Sequence, residues 1–284
     1  MAAPVPLTDD LRLELASLNL AATSESPLNL LFASGAARTQ AEGITAHAVS
    51  RRLPDDSFVR VSEHVLVSSP ELAYVQMSRS LPIGKLIHAA CELCGTYAQV
   101  GFEGRLVERA ALTDVGNLRA FAEQMFEDPG ALALRALRYA RNGSASPMES
   151  TVMLLLCLPG RMGGYGLPFP VLNLPVTLSS EAYAIYPCKS CRLDLAWPAR
   201  NFSVEYDGID SHTGSAHAKD VARAMALRLE GMDVLTVAKQ QVYSETAFEQ
   251  VAVEVARRLG TRLRTRSEHA TEARRQLRRE LGLL

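Results

Sequence analysis

The sequence lacks an apolar run long enough to cross a bilayer. Its longest uninterrupted hydrophobic stretch, residues 152–158, has seven residues, whereas a membrane-spanning helix needs about 20. The opening residues, MAAPVPLTDDL, contain neither the basic segment nor the apolar segment of a secretory signal peptide. Internal repeats and low-complexity tracts are missing as well. We therefore expect a cytoplasmic globular protein whose five cysteines are reduced.

A large excess of charge of either sign is also missing. The 30 basic and 31 acidic residues give a net charge of −1, so the overall charge does not indicate a nucleic-acid partner. The charge is unevenly distributed, because residues 257–279 contain nine arginines and only two glutamates. Such a run forms either a solvated helical face or a surface that attracts phosphate.

The length of the chain allows one large domain or two ordinary ones. A polar segment, RNGSA at residues 141–145, indicates a domain boundary. Residues 1–143 are expected to form a mostly helical N-terminal domain with a small β element, since FVRVSEHVLVS at residues 58–68 alternates like a hairpin. Residues 28–33 have apolar residues at mixed helical spacing. Residues 144–284 are expected to form the second domain.

The second half of the chain predicts an α/β (α+β) fold. Ser146 and Glu149 form an S-x-x-E capping box that starts a helix, and a glycine-rich loop follows that helix. Strands are predicted at residues 171–178, 191–197, 202–207 and 234–238, and helices at residues 216–230 and from residue 245 onward. The predicted order is α-β-β-β-α-β, followed by Arg-rich C-terminal helices.

Two acidic residues are predicted to face each other on neighbouring strands. If residues 198–201 form the turn, the numbers of paired residues sum to 399, and Asp194 lies opposite Glu205. Directly opposed like charges are destabilising, so the two carboxylates need a cation between them or a raised pKa. Mg²⁺ or Mn²⁺ fits best, because hard cations take oxygen ligands. The alternative is a solvated polar face.

Three other residues are candidates for the same site. Asp207 shares a strand face with Glu205, although in this register it would also oppose Arg192 and form an ion pair with it. Glu149 contributes only if the start of its helix packs beside the acidic strands, since the capping box already explains it. His212 is either a general base or phosphate ligand, or a loop residue without a role.

These residues resemble a known family. A strand aspartate, a turn, and then VEYDG with a histidine four residues after the glycine resemble the PD-(D/E)xK restriction-endonuclease fold, in the branch of very-short-patch-repair endonucleases and their relatives. The resemblance covers residues 144–245 and implies the αβββαβ core of that fold. It also implies that Asp194, Glu205 and Glu149 bind Mg²⁺ and that the domain is a nuclease hydrolysing DNA phosphodiesters, as a nicking or defence enzyme.

One position departs from this family. The usual lysine, two residues after the glutamate, is Asp207 here. Three residues are candidates to stabilise the phosphate in its place: Lys219, Arg192 and His212. Asp220 and Arg223 have the i,i+3 spacing of an ion pair on a helix, so neither is assigned to the chemistry.

A second resemblance concerns the N-terminal part. Residues 47–72, HAVSRRLPDDSFVRVSEHVLVSSPEL, are similar to the middle region of AbiEi-type antitoxins of abortive-infection systems, which act as DNA-binding repressors. This resemblance implies a nuclease-like fold kept for binding DNA, as a repressor or antitoxin-type module, with residues 1–143 available to a protein partner. An unrelated α+β interaction protein is the third interpretation.

Two CxxC pairs raise the question of structural zinc. Four thiolates from Cys91, Cys94, Cys188 and Cys191 would suit Zn²⁺. However, 93 residues separate the pairs, whereas zinc ribbons have about 15–20. The first pair lies in KLIHAACELCGTY, which is typical of a buried helix where cysteines serve as small apolar residues.

Overall fold

The computed structural model describes residues 9–18, 20, 25, 27–32, 43–49, 52–100, 104–125, 130–208, 214–263 and 268–284. The chain divides into two compact units, Met1–Ala73 and Tyr74–Leu284. None of the described helices is both long and apolar enough to span a membrane.

The described part of the first unit contains a helix and two small sheets. Its elements are α1 (Asp9–Ser17), β1 (Leu28–Phe32), β2 (Ile44–Ala48), β3 (Phe58–Arg60) and β4 (Leu66–Ser68). Strands β1 and β2 pair in parallel, and β3 and β4 form an antiparallel hairpin, which confirms the hairpin predicted at residues 58–68. The helical interpretation of residues 28–33 was wrong, because so short an apolar run does not distinguish a helix from a strand by its spacing.

Helix α2 (Pro70–Met77) spans the division between the units. The second unit then begins with α3 (Ile83–Leu93), β5 (Tyr97–Val100), β6 (Arg105–Glu108), α4 (Val115–Gln124) and α5 (Ala131–Leu137). Strands β5 and β6 form another antiparallel hairpin. The described part of residues 1–143 therefore holds three two-stranded sheets, more β structure than the sequence predicted.

The boundary predicted at residues 143–144 lies inside the second compact unit. Backbone hydrogen bonds join the two sides of it: Gly143 N–H donates to Cys94 O (3.0 Å) and Thr96 N–H donates to Ser144 O (2.8 Å). The polar segment at residues 141–145 therefore satisfies the end of α3 instead of serving as an exposed linker.

A four-stranded mixed sheet forms the centre of the second unit. Its strands and helices are α6 (Pro147–Cys157), β7 (Val171–Thr177), α7 (Ser180–Ile185), β8 (Ser190–Trp197), β9 (Phe202–Asp207), α8 (Gly214–Leu229) and β10 (Asp233–Ala238). The strand order is β10-β9-β8-β7, with β7, β8 and β9 antiparallel in turn and β10 parallel to β9. The predicted α-β-β-β-α-β order is present, with α7 as an additional helix between the first two strands.

The two central strands are covered on both faces. Leu195 and Ala196, consecutive in β8, are both 0% exposed, and so are Ser203 and Val204 in β9. Because successive side chains of a strand point to opposite faces, this burial requires a layer on each side of the sheet. Ser203 and Glu205 of β9 are therefore enclosed within the unit.

The chain ends in three helices, α9 (Lys239–Tyr243), α10 (Glu245–Leu259) and α11 (Glu268–Glu280). The glycine-rich loop after α6 lets α11 approach closely, since Gly163 has φ of 91° and a Cβ there would overlap the carbonyl oxygen of Ala273. Any larger residue at position 163 would disturb this packing.

The arginine-rich run is solvated in part and buried in part. Arg278 is 2% exposed and donates to Val242 O at 2.8 Å. Ion pairs with acidic side chains engage Arg257, Arg258, Arg275 and Arg279. The expected solvated helical face describes Arg257, Arg275 and Arg279, which are exposed, but it does not describe the buried Arg278.

Candidate active site

The hairpin of β8 and β9 has the predicted register. Trp197 pairs with Phe202 and Leu195 with Val204, so paired numbers sum to 399. The rings of Trp197 and Phe202 stack with centroids 5.6 Å apart. The turn ends at Asn201, whose φ of 45° is left-handed, a conformation that asparagine tolerates better than most residues.

The regular ladder stops where the two acids meet. The next pair in this register is Asp194 and Glu205, and here carboxylate oxygens take over backbone donors. The N–H of Asp194 donates to Glu205 Oε1 at 3.2 Å, and the N–H of Tyr206 donates to Asp194 Oδ2 at 2.9 Å. The two carboxylates therefore lie between the strands, as neighbours, in agreement with the predicted shared face.

The neighbouring strand β7 is irregular at the same level. Leu172 pairs with Leu195 and Leu174 with Leu193, but Asn173, which would oppose Asp194, is left out of the ladder and has φ of 49°. Its amide therefore turns toward the first turn of α6, so that polar groups from three adjacent strands meet at one level of the sheet.

Glu149 joins this cluster from α6. Ser146 Oγ accepts the N–H of Glu149 (3.2 Å), as the capping box predicted. The carboxylate itself is 7% exposed, and its Oε2 accepts from the N–H of Ala145 (2.8 Å) and from Nδ2 of Asn173 (2.6 Å). The start of α6 thus packs beside the acidic strands, the condition under which Glu149 was expected to contribute.

Arg223 of α8 is the residue that sequence reasoning missed. Its Nη2 lies 2.7 Å from Glu205 Oε2 and also donates to Arg192 O at 2.6 Å. This arginine of α8 therefore reaches the sheet. Burial alone would lower the pKa of Arg223, whereas the charges of Glu205 and Asp194 outweigh it and raise that pKa.

All three carboxyl groups have raised pKa values. Burial, and then the charge of Asp194, raises the pKa of Glu149 from 4.5 to about 7. The same two causes raise the pKa of Glu205 from 4.5 to about 7, against the opposing charge of Arg223. Burial also raises the pKa of Asp194, opposed by the N–H of Tyr206 and by Arg223. One arginine thus incompletely compensates two buried acids and the half-buried Asp194.

A cleft of 380 Å³ opens beside this cluster. Glu149, Asn173 and Asp194 line it, together with Arg192 and Glu108, which form an exposed ion pair at 3.5 Å. Arg192 was predicted to face Asp207, but the β8–β9 ladder ends before that position, and Arg192 pairs with Glu108 of β6 instead. The β5–β6 hairpin therefore forms one wall of the cleft.

The other predicted residues have different outcomes. Asp207 ends β9, where it pairs with Ala238 of β10. Lys219 is exposed on α8, one turn before Arg223. His212 lies outside the described residues, and so does the side chain of Asp220, so their predicted roles remain predictions.

The structure places the two CxxC pairs in different elements. Cys91 and Cys94 are 0% and 1% exposed, and burial raises the pKa of the Cys91 thiol to about 11. Cys191 is buried in β8, and Cys188 is half-buried just before it. Within the described ranges, no three or more His, Cys, Asp and Glu side chains are grouped to hold a metal ion, and structural zinc remains a prediction.

In the acidic cluster, Arg223 engages Oε2 of Glu205 at 2.7 Å. Asp194 Oδ1 remains open, because no residue that the structure describes donates a hydrogen bond to it. The Glu149 carboxylate is hydrogen-bonded by Ala145, Asn173 and the side chain of Ser146. Carboxylate oxygens are the donors that Mg²⁺ prefers, so the chemistry of this donor set fits a hard divalent cation.

No protein-family model, no curated protein and no solved structure matches this chain.

Proposed function

We propose that the protein hydrolyses phosphodiester bonds of DNA with the help of Mg²⁺, as a nuclease with its active site at the acidic cluster. One observation carries this proposal: Glu149, Asp194 and Glu205 meet where the pairing of β8 with both neighbouring strands is interrupted. Gathering two buried acids and one half-buried acid beside a single arginine opposes folding. Such an arrangement is typical of functional sites.

The topology supports the same proposal. Helix α6, the mixed sheet of β7 to β10 and the connecting helix α8 follow the order of the αβββαβ core that the sequence resembles. In that resemblance the two acids of the central hairpin and the acid of the preceding helix are the metal ligands. Here the same three positions are occupied by Asp194, Glu205 and Glu149.

Each side chain would have a definite part. Asp194, Glu149 and Glu205 would hold Mg²⁺, which when bound supplies Lewis-acid stabilisation of phosphate charge and an activated water. Asn173 orients Glu149 through its 2.6 Å hydrogen bond. Arg223 and Lys219 lie one turn apart on the same side of α8 and supply the positive charge that the family's missing lysine would carry. Asp207 is placed by the strand period on the face of Glu205.

A cleavage assay tests this function. Supercoiled plasmid is incubated with the purified protein and Mg²⁺ or Mn²⁺, with EDTA as the metal-free reaction. We expect metal-dependent nicking by the wild type and a loss of at least about a hundredfold in Asp194→Asn and Glu205→Gln, because each removes a charged ligand. Glu123→Gln, an exposed glutamate of α4, is the matched control. Equal nicking by all four proteins would contradict the proposal.

A second candidate is a DNA-binding repressor or antitoxin-type module without hydrolysis. The observation that favours it is the 2.7 Å ion pair of Arg223 with Glu205, which supplies the cation that a metal would otherwise provide. For this candidate, DNA binding would persist without metal and would survive Asp194→Asn. Metal-dependent cleavage lost in that variant would decide against it.

A further inference from the structure

A second concave surface of the Tyr74–Leu284 unit carries positive charge and aromatic rings. This arginine–aromatic cleft has a volume of 1020 Å³ and is formed by the loop after α6, the end of α5 and the start of α11. Its characteristic residues are Tyr139, Tyr165, Phe169, Arg161, Arg262 and Arg274. No aspartate or glutamate is found among its described lining residues. The cleft therefore suits an anionic ligand.

Two rings of the cleft are arranged as a stacking platform. Tyr139 and Phe169 have centroids 6.3 Å apart with an interplanar angle of 32°, and both rings are half-buried. The guanidinium of Arg141 covers one side of Phe169 at 3.9 Å, and Arg161 Nη2 lies 3.5 Å from the hydroxyl of Tyr139. Cations thus hold the rings in place while part of each ring faces the cleft, as in proteins that stack nucleobases.

The arginines of the cleft differ from the others in the same run. Arg262 is exposed and forms no ion pair with a residue in the described ranges. The guanidinium of Arg274 lies 4.7 Å over the ring of Tyr165, and its buried Nε has no hydrogen-bond partner among the described atoms. A buried donor without an acceptor is costly, and an incoming phosphate oxygen would satisfy it.

The loop glycines leave the cleft open. A Cβ added at Gly160 or at Gly166 would meet no atom within 4 Å, so packing does not demand glycine at Gly160. This position therefore allows the cleft to be filled by substitution without strain in the surrounding structure.

We propose that the arginine–aromatic cleft binds a segment of single-stranded nucleic acid. Bases would stack on Tyr139 and Phe169, and phosphates would bind Arg161, Arg262 and Arg274. This proposal rests on the proposed nuclease function. It adds that the substrate strand is bound single-stranded, apart from its complement. Duplex DNA would need a broad convex or groove-following surface instead of a concave cleft with exposed rings.

The cleft is close enough to the acidic cluster for one strand to reach both. Phe169 lies four positions before Asn173 in the sequence, and Arg141 lies four positions before Ala145, the donor to Glu149. Four extended residues span at most about 14 Å. A strand bound in the cleft would thus pass near the carboxylates.

Binding is tested apart from cleavage. Fluorescence anisotropy of labelled oligothymidylate is measured in EDTA over a range of salt concentrations. We expect Arg161→Gln/Arg262→Gln to weaken binding roughly tenfold or more and to reduce the slope of log K against log salt by about 0.7 per lost phosphate contact. Arg119→Gln/Arg228→Gln removes equal charge from exposed sites on α4 and α8 and should leave affinity within about twofold of the wild type.

A charge-neutral pair of variants tests the location. Gly160→Leu fills the cleft and should weaken binding roughly tenfold or more, whereas Gly160→Ala should not, with thermal unfolding confirming that both fold. Equal effects of the cleft and control pairs, or full affinity in Gly160→Leu, would overturn the inference. So would tighter binding of a duplex of the same length. Oligouridylate in place of oligothymidylate distinguishes RNA from DNA as the source, and tight binding of either supports the cleft.

The two proposals fail separately. Asp194→Asn should retain oligonucleotide binding in EDTA even though it loses cleavage. Cleavage with normal binding in the cleft variants would overturn the cleft alone, and cleft-dependent binding without any cleavage would leave the cleft supported and overturn the nuclease.

Discussion

The raised pKa of Glu149 makes a sharp prediction about stability and pH. The folded protein holds the proton of this carboxyl up to about pH 7, whereas the unfolded chain releases it near 4.5. Between these values the folded state binds more protons than the unfolded state, so stability falls as pH rises. The change Glu149→Gln removes the titrating group and keeps the shape of the side chain.

The expected size follows from the two pKa values. The interval from 4.5 to about 7, at 1.36 kcal/mol for each pKa unit, corresponds to about 3 kcal/mol. Because Glu149 is 7% exposed, solvent screens little of this cost. The wild type should therefore lose about 3 kcal/mol more than Glu149→Gln between about pH 5 and pH 8, with most of the difference below pH 7.

Urea unfolding followed by tryptophan fluorescence measures this difference. Trp197 is the only tryptophan in the sequence and lies in β8, three residues after Asp194, so its emission reports on the unit that contains the cluster. The experiment is performed in EDTA to exclude divalent cations. Glu123→Gln, an exposed change on α4, should follow the wild type at every pH.

Parallel pH profiles of the wild type and Glu149→Gln would contradict this prediction. Parallel profiles would mean that Glu149 ionises at its ordinary pKa in the folded protein, and that water or a positive charge reaches it. A wild type that gained stability relative to the variant as pH rises would refute it even more directly, because the sign would be reversed.

Three further predictions concern the same unit. In thermal melts, Mg²⁺ should raise the unfolding temperature at about pH 8 and have little effect near pH 5, because a cation must displace protons from the carboxyls of the acidic cluster. An equal effect at both pH values would contradict this. Arg223→Met should lower the free energy of unfolding, measured by urea titration, by about 3–5 kcal/mol at about pH 8, since it leaves Glu205 buried without its partner. Near pH 5 the loss should be clearly smaller. A loss that does not depend on pH would contradict the pairing. Gly163→Ala should cost about 1–3 kcal/mol from the left-handed backbone alone and should lower the melting temperature. Gly166→Ala is also left-handed but has free space around it, so it should cost less. Equal losses of stability in the two variants would contradict the close approach of α11.

Local patterns predicted several elements correctly. The alternation on both sides of residues 198–201 predicted the β8–β9 hairpin and its register, because a tight turn and a buried face leave few ways to pair two strands. The cap at Ser146 was predictable for the same local reason, since the donor and acceptor are three residues apart. The helical prediction for residues 28–33 failed, because this segment forms a strand through its pairing with β2.

The alternation along two joined strands was enough to predict that Asp194 and Glu205 are neighbours, since it depends only on nearby residues. Three features of the unit could not be predicted in this way: Glu149 and Asn173 complete the cluster, Arg223 pairs with Glu205, and arginines far apart in the chain share one cleft with aromatic rings. These contacts join helices and strands whose relative placement comes from packing of the whole unit. No short-range periodicity encodes that placement.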